Sequence, residues 1–455
     1  MRREGFTEQW HDLVDGFWFI PGLVALIGPA LAILCIQADY RLDRGVGDVT
    51  VPLLFGGSPS AARSILSTIA GSLITVAALV FTLTITTLQL ASSQFTPRAL
   101  RGFLSDRVFQ VVAGVFVGIF AYCLLVLTAV RDAPQVGHGF VPALAVSVGI
   151  GLSFLGLALL LIFIHHMTQS IQVSTITARI THDALRAIHR LPQATDASRD
   201  SDADATELVH SWRAVEEPRM ISPLRPGYVQ SIDFDGLCAD AERCEVRLHL
   251  TVCQGDFVLP EDDIVEVWPG GAVDEACVDA MRRRIAVRDQ RDITQDLGFA
   301  VRQLADIALK ALSPGINDPT TAITCISYLC AILNDLVQRD LSAKVKQRPD
   351  GETILVGQQR TMRDYVEVLV EIGRVASTNA RVAEAVLGTM ATLVSTAARQ
   401  GDDRYIALLR EVADSIAEPA LDDTRTDHDR MLLEQQLERI AQAALSKRDS
   451  PKPLT

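Results

Sequence analysis

Four stretches of this chain are long and apolar enough to cross a lipid bilayer, and no other feature constrains the fold as strongly. A hydrocarbon core of about 30 Å is spanned by roughly 20 residues of helix. Inside it each backbone polar group must be satisfied by the segment itself, which selects helices. The runs are Phe17–Gln37, Ile65–Leu90, Val108–Val130 and Val141–Ile164. Trp10, Phe17 and Trp18 stand near the start of the first, where amphipathic rings suit the membrane interface. The expected fold class is membrane α-helical with four transmembrane helices, followed by a cytosolic α+β region. That region should be a small β-barrel or sandwich and then a helical domain.

The remaining two thirds read as ordinary soluble sequence. With 455 residues, there is room for two to four domains. Mean hydropathy is +0.23 and only 21% of residues are charged, because the apolar residues gather in the first third. The net charge of −13 argues against a nucleic-acid partner, which would require neutralising phosphates. The N-terminal apolar run begins after Glu4, Glu8, Asp12 and Asp15, so no cleavable signal is expected.

Basic residues set the expected orientation. Arg2 and Arg3, then Arg98, Arg101 and Arg107, then Arg179, Arg186 and Arg190 fall on one side. The other side holds Arg41, Arg44 and Arg131, with Asp39, Asp43 and Asp48 among them. This bias places both termini in the cytoplasm of a multi-pass protein, whose first partner is the lipid bilayer. The third span holds Gly114 and Gly118, and the fourth holds Ala145, Gly149 and Ser153, all spaced by four. Small residues at that spacing let helices approach closely in lipid. The third and fourth spans are expected to pack on each other, or to form a subunit contact.

The expected order runs as a cytoplasmic tail (1–16), the transmembrane domain (17–165) and a connecting helix (166–192). An acidic flexible linker (193–209) follows, its "QATDASRDSDADATE" lacking large apolar residues. A small β domain (210–270) comes next. In "CEVRLHLTV", Val246, Leu248, Leu250 and Val252 alternate with Arg247, His249 and Thr251, the period of a half-buried strand. "PGYVQSID" and "DDIVEVWP" are further strand candidates. A helical domain (271–447) and a disordered tail (448–455) complete the chain. Leu297, Ala300, Val301, Leu304 and Ala308 form one apolar stripe there.

The strings "LQLASSQFTPRAL", "PGYVQSID", "GDFVLP" and "QLADIALKALSPGINDPTTA" resemble a family of bacterial predicted membrane proteins catalogued as a domain of unknown function. The resemblance covers nearly the whole chain. It implies a bacterial inner-membrane protein with N-terminal spans and a soluble C-terminal part. It brings no activity, substrate or catalytic residue.

The second span is unusually polar. Thr68, Thr75, Thr82 and Gln89 recur every seven residues, and Ser72, Thr86 and Ser93 extend the same stripe, interrupted by Leu79. Two readings stand. Hydroxyls can fold back onto their own helix or bridge neighbouring helices. Alternatively, copies of this helix in a homo-oligomer line a polar conduit. No Asp or Glu is expected inside a span, which argues against ion-coupled transport. Arg98 and Arg101 share a face beyond this span, as positive-inside anchors or as a charged mouth.

In "ALSPGINDPTTA", Asp318 can cap a helix with Pro319 at its first position, which makes a stiff turn between helices. The functional alternative is a ligand or anion site formed by Lys310, Ser313, Asn317, Asp318, Thr320 and Thr321. "MRRRIAVRDQRDITQD" reads as a solvated or interface helix face with an Arg288–Asp292 pair, its three acids a weak cation candidate opposed by the arginines. His165 and His166 are expected as interfacial residues at the end of the fourth span. The eight cysteines contain no CxxC pair, and Cys238, Cys244, Cys253 and His249 fit no standard zinc spacing. They are expected as reduced thiols in a cytosolic compartment, with no metal and no cofactor.

No phosphate loop, nucleophile elbow or zinc-protease motif is present, so no enzyme is expected. The leading functional expectation is a homo-oligomeric channel or conduit lined by the second span, with a cytosolic regulatory or assembly domain. The alternative is a membrane-anchored signalling or scaffold protein whose cytosolic domain binds a small ligand or a protein partner.

Overall fold

The structure is a computed structural model that describes residues 19–45, 54–94, 107–131, 140–170, 172–191, 201–293, 295–348 and 351–445. One compact unit ends at Thr175 and a second begins at Ile176. The expected tails, 1–16 and 448–455, lie outside the described residues.

The first unit holds α1 (Phe19–Gly45), α2 (Pro59–Gln94), α3 (Arg107–Ala129) and α4 (Ala143–Ser170). All four are long and apolar enough to cross a membrane. α2 has 36 residues, about 54 Å at 1.5 Å per residue, so it is longer than the hydrocarbon layer. α3 is the packing centre, with Phe109, Val112, Phe116, Ile119, Tyr122 and Val126 all buried.

The third and fourth spans do pack on each other, with the Tyr122 hydroxyl donating to the Ala145 carbonyl at 2.7 Å, but the third span's glycine pair is not part of that contact. A Cβ on Gly114 would meet the Pro21 carbonyl at 2.8 Å, and one on Gly118 would meet Ala25 at 3.3 Å, so both glycines face α1. Gly28 on α1 supplies the matching gap opposite Gly118. A small-residue motif sets how near a helix can come, not which helix comes. On α4, Gly149 sits against Leu66 of α2 and Tyr122 of α3.

The absence of acids from the spans is also corrected. α1 continues past Gln37, and its far end buries Asp39. The Asp39 carboxylate accepts from the backbone N–H of Leu144 at 3.0 Å and of Ala145 at 2.9 Å. These are free donors of the first turn of α4, so Asp39 caps a helix distant in sequence.

The second unit follows α5 (Val173–Ile188), which straddles the boundary. It continues with α6 (Ser201–Val215), β1 (Arg219–Ile221), β2 (Gly227–Ile232), α7 (Phe234–Arg243), β3 (Arg247–Leu250), β4 (Phe257–Val258) and β5 (Val265–Trp268). Next come α8 (Glu275–Arg283), β6 (Ile285–Arg288), α9 (Leu297–Ala311), α10 (Pro319–Leu336), β7 (Lys344–Gln347) and β8 (Thr353–Gly357). Four helices close the chain: α11 (Met362–Val375), α12 (Ala380–Gln400), α13 (Asp403–Asp423) and α14 (Asp427–Leu445).

In place of a barrel, the strands form two small sheets, ordered β1-β5-β3-β8-β7 and β4-β2-β6. Nor is the β region confined to 210–270. β6 pairs with β2, and β8 pairs in parallel with β3 from about a hundred residues further on. "MRRRIAVRDQRDITQD" is therefore not one helix: Arg288 ends a strand, and Asp289, Asp292 and Asp296 follow it in the connection to α9. Repeated charge hides the short Ile285–Val287 alternation.

The 193–209 linker is helical from Ser201 onward, while 192–200 lie outside the described residues. The Asp-rich start of α6 conceals an inner face. Val209 and Trp212 pack with Trp268 and Val356 on one side of the larger sheet. Leu248, Leu250, Val265, Val267 and Leu355 fill the other side with Leu237 of α7 and Met281 of α8. β3 is thus covered on both faces, and His249 is buried rather than half-exposed. In α9 the apolar stripe Leu297, Ala300, Val301, Leu304 and Ala308 is buried. Asp296, Asp318, Asn379 and Asp402 each accept a backbone N–H at the start of α9, α10, α12 and α13.

Not all cysteines are thiols. Cys244, which ends α7, is disulfide-bonded to Cys277 in the first turn of α8.

Candidate functional site

α2 has two distinct faces. Leu66, Ala70, Leu73, Ala77 and Val80 are buried against the chain's own helices, at alternating steps of four and three. The polar stripe lies on the outside: Thr68, Ser72, Thr75, Thr82, Thr86 and Gln89 are all exposed in the single chain. Several hydroxyls donate to their own helix. Thr68 bonds the Ser64 carbonyl at 2.7 Å, Ser72 that of Ile69 at 3.0 Å, Thr75 that of Gly71 at 2.9 Å, and Thr82 that of Ala78 at 2.9 Å. The stripe therefore does not glue this chain's helices together. It faces lipid or another molecule. Ser93, Arg98 and Arg101 lie outside the residues whose side chains are described.

The outer faces of α1 and α4 differ. Leu23, Leu26, Ile27 and Leu34 project from α1, and Phe154, Leu157, Leu161 and Ile162 from α4. Gly71, midway along the α2 stripe, has open space where a Cβ would stand. A hydroxyl that donates to its own backbone still presents acceptor lone pairs outward. The exposed side of α2 thus mixes oxygen acceptors with the apolar Ile74, Leu79, Leu83 and Ile85.

The "SPGINDP" turn satisfies itself. The Asp318 carboxylate accepts from the Thr321 N–H at 3.1 Å and from the Thr321 hydroxyl at 2.6 Å. These hydrogen bonds, the hydroxyl first, hold its carboxyl below the usual carboxylate range. The N–H groups a bound anion would need are taken by the chain's own acid. Ser313 donates to the Lys310 carbonyl at 2.7 Å, and Asn317 takes the left-handed conformation with φ 48°. Lys310 and Thr320 are exposed. Among the described residues, no group of three or more His, Cys, Asp or Glu side chains is placed to hold a metal. Burial pushes the Cys253 thiol up to about 11, the opposite of an activated nucleophile.

A buried polar cluster escapes sequence reasoning. Glu266 on β5 accepts from Arg213 of α6 at 2.7 Å, through both oxygens, and lies 2.8 Å from Nδ1 of His249 on β3. The carboxylate ties α6 to the sheet, and Trp212 packs on Trp268 with centroids 5.5 Å apart. The signal was present in the alternation of Val265, Glu266, Val267 and Trp268. It had no meaning until α6 was known to cover that face.

These features define a class: a protein with four apolar helices consistent with multi-pass membrane insertion, followed by a unit of small sheets and then helices. The chain belongs to the family described as "Predicted membrane protein (DUF2254)", whose model matches residues 15–392. It is similar to the uncharacterized protein MT1328 of Mycobacterium tuberculosis (strain CDC 1551 / Oshkosh), at 30% identity over 428 residues, or 90% of this chain and 77% of the relative. The uncharacterized protein Mb1321c of Mycobacterium bovis matches over the same shares and at the same 30% identity. No solved structure matches the chain.

Proposed function

We propose that this chain forms a homo-oligomeric conduit in the bacterial inner membrane, with the α2 stripe of several copies turned toward a shared axis. The soluble unit assembles and regulates it from the cytoplasm, a side for both termini that the arginine bias supports. No catalytic step is assigned. The observation that carries this reading is the outward exposure of Thr68, Ser72, Thr75, Thr82, Thr86 and Gln89, with the opposite side of α2 taken up by its own bundle. Ile74, Leu79, Leu83 and Ile85 share the exposed side of α2, but among the described residues no comparable run of hydroxyls lies on the outer faces of α1 and α4. Oxygen acceptors in series favour water and cations. The stripe holds no carboxylate, which favours passive passage over ion-coupled transport.

Single-cysteine variants in native membranes test the assembly. Thr75→Cys should cross-link between copies under mild oxidation, whereas Leu157→Cys on the outer face of α4 should not. Reconstituted protein should pass ions or small solutes, and Gln89→Leu and Thr75→Leu should lower the flux. Stable oligomers that pass nothing across a range of pH and voltage would remove the conduit from the reading.

A further inference from the structure

The soluble unit contains a cleft of about 1080 Å³, bounded by β7, by the turn into α7, by the start of α9 and by the first turn of α11. This is slightly above the roughly 300–1,000 Å³ usual for small-molecule sites. Side chains alternate along a strand, so Lys344 and Lys346 of β7 project to one side, into this cleft. The Lys344 ammonium stands 4.1 Å from the centroid of the Phe234 ring and has no carboxylate within salt-bridge distance among the described residues. Lys346 pairs with Asp235 at 3.2 Å. Arg190, just beyond α5, also lines the cleft without an acid partner among the described residues. Its segment is fixed by Arg339, which donates to the Leu191 carbonyl at 3.4 Å, and by His189, 3.0 Å from Asp335.

The acids of the wall are occupied. Asp233 takes Arg284 at 3.0 Å, Asp296 takes Arg291 and the Phe299 N–H, and Asp340 accepts from the Ser342 N–H at 3.0 Å. Tyr365 lines the same cleft with only 7% of its surface exposed. The wall thus presents two cations without a paired acid and a phenol, while its carboxylates are engaged, Asp340 by the Ser342 N–H and hydroxyl and the others by cations.

We propose that this cleft binds a small, multiply anionic molecule of nucleotide size, with Lys344 and Arg190 meeting its negative charge and the Tyr365 hydroxyl donating to one of its oxygens. Burial, and then the charge of Lys346, push the Lys344 ammonium below its ordinary range, so a bound anion would relieve a cost the empty site carries. Burial also keeps the Tyr365 phenol protonated, as a neutral donor. The Phe234 ring face helps to hold the Lys344 ammonium in place. The site is independent of the conduit, so binding with no flux, or flux with no binding, would separate the two proposals.

The test uses the full chain in lipid nanodiscs and titration calorimetry with ATP, pyrophosphate and citrate, so that phosphate and carboxylate sources are told apart. At least one should bind with a Kd below about 1 mM and weaken as salt rises. Lys344→Gln should weaken it about ten- to a hundred-fold, as expected for loss of a charge-assisted hydrogen bond. Lys344→Arg should retain most of the affinity, Tyr365→Phe should lose a few-fold, and Arg410→Gln, exposed on α13 and outside the cleft, should change nothing. Absence of binding by all three probes, or equal binding by Lys344→Gln, overturns the proposal.

Discussion

The contact between α1 and α3 can be tested by adding a single methyl group. In Gly28→Ala the new Cβ would fall 2.5 Å from the carbonyl carbon of Gly118 and 2.8 Å from its Cα. Carbon atoms in contact prefer about 3.5–4.0 Å. Both neighbours are backbone, so no side chain can rotate aside, and the helices must separate by about 1 Å at this point. A gap of that size forfeits on the order of half the local dispersion energy. Overpacking of this kind typically costs about 1–3 kcal/mol, and the rigid backbone places Gly28→Ala near the upper end. For a bundle of this size, each kcal/mol lowers Tm by roughly 2–4 °C, which gives a drop of about 6–12 °C. Gly22→Ala is the internal control, because nothing lies within 4 Å of the Cβ it would add on the same helix. The assay is thermal unfolding of detergent-solubilised protein followed by tryptophan fluorescence and by loss of the monodisperse gel-filtration peak. Equal melting of Gly28→Ala and wild type, or an equal loss in Gly22→Ala, would refute the assigned helix pair.

Other expectations follow from the same geometry. Gly71→Leu should leave the single-chain bundle intact, because nothing lies within 4 Å there, yet it should lower oligomer mass in multi-angle light scattering if copies meet on this face. Asp318→Ala should cost about 1 kcal/mol as a lost cap, read by hydrogen exchange in the first turn of α10. The folded Asp318 carboxyl is held below its unfolded value, so its stabilisation is complete above that value, near 3.9, and is lost as pH falls through the folded one. The wild-type advantage over Asp318→Ala should therefore shrink only in acid. Arg213→Ala leaves Glu266 buried with one fewer donor and should cost about 1–3 kcal/mol in denaturant melts, with much of it recovered when Glu266→Gln is added.

The four spans were legible because a long apolar run has few other fates. Their ends were not: α1 extends to Gly45 and α2 begins at Pro59, since helices continue into the interface without an apolar signal. β2, β3 and β5 announced themselves by period two. β6, β7 and β8 did not. β6 and β7 lie among charged residues, and β8 completes its sheet across about a hundred residues, so the pairing that gives it meaning is invisible locally. α6 was hidden by its acidic first half. For the second span, sequence spacing grouped Thr68 with Gln89, but only packing could say which way that group looks. The cleft residues were beyond reach for a similar reason, because Arg190, Phe234, Lys344 and Tyr365 come from four separate elements.

The bond between Cys244 and Cys277 makes the second unit a reporter of its own surroundings. It closes a loop with a sequence separation of 33, and constraining such a loop stabilises a fold by about 3–4 kcal/mol. In a cytoplasm kept reducing, that increment is withheld and both sulfurs remain open to alkylation. Across the membrane it is granted and both are blocked. Two cysteines thus carry a chemical record of the side on which the larger part of the chain resides, and they can contradict the orientation that the arginines imply. Trapping the thiols in intact cells, with and without a permeant reductant, reads that record directly.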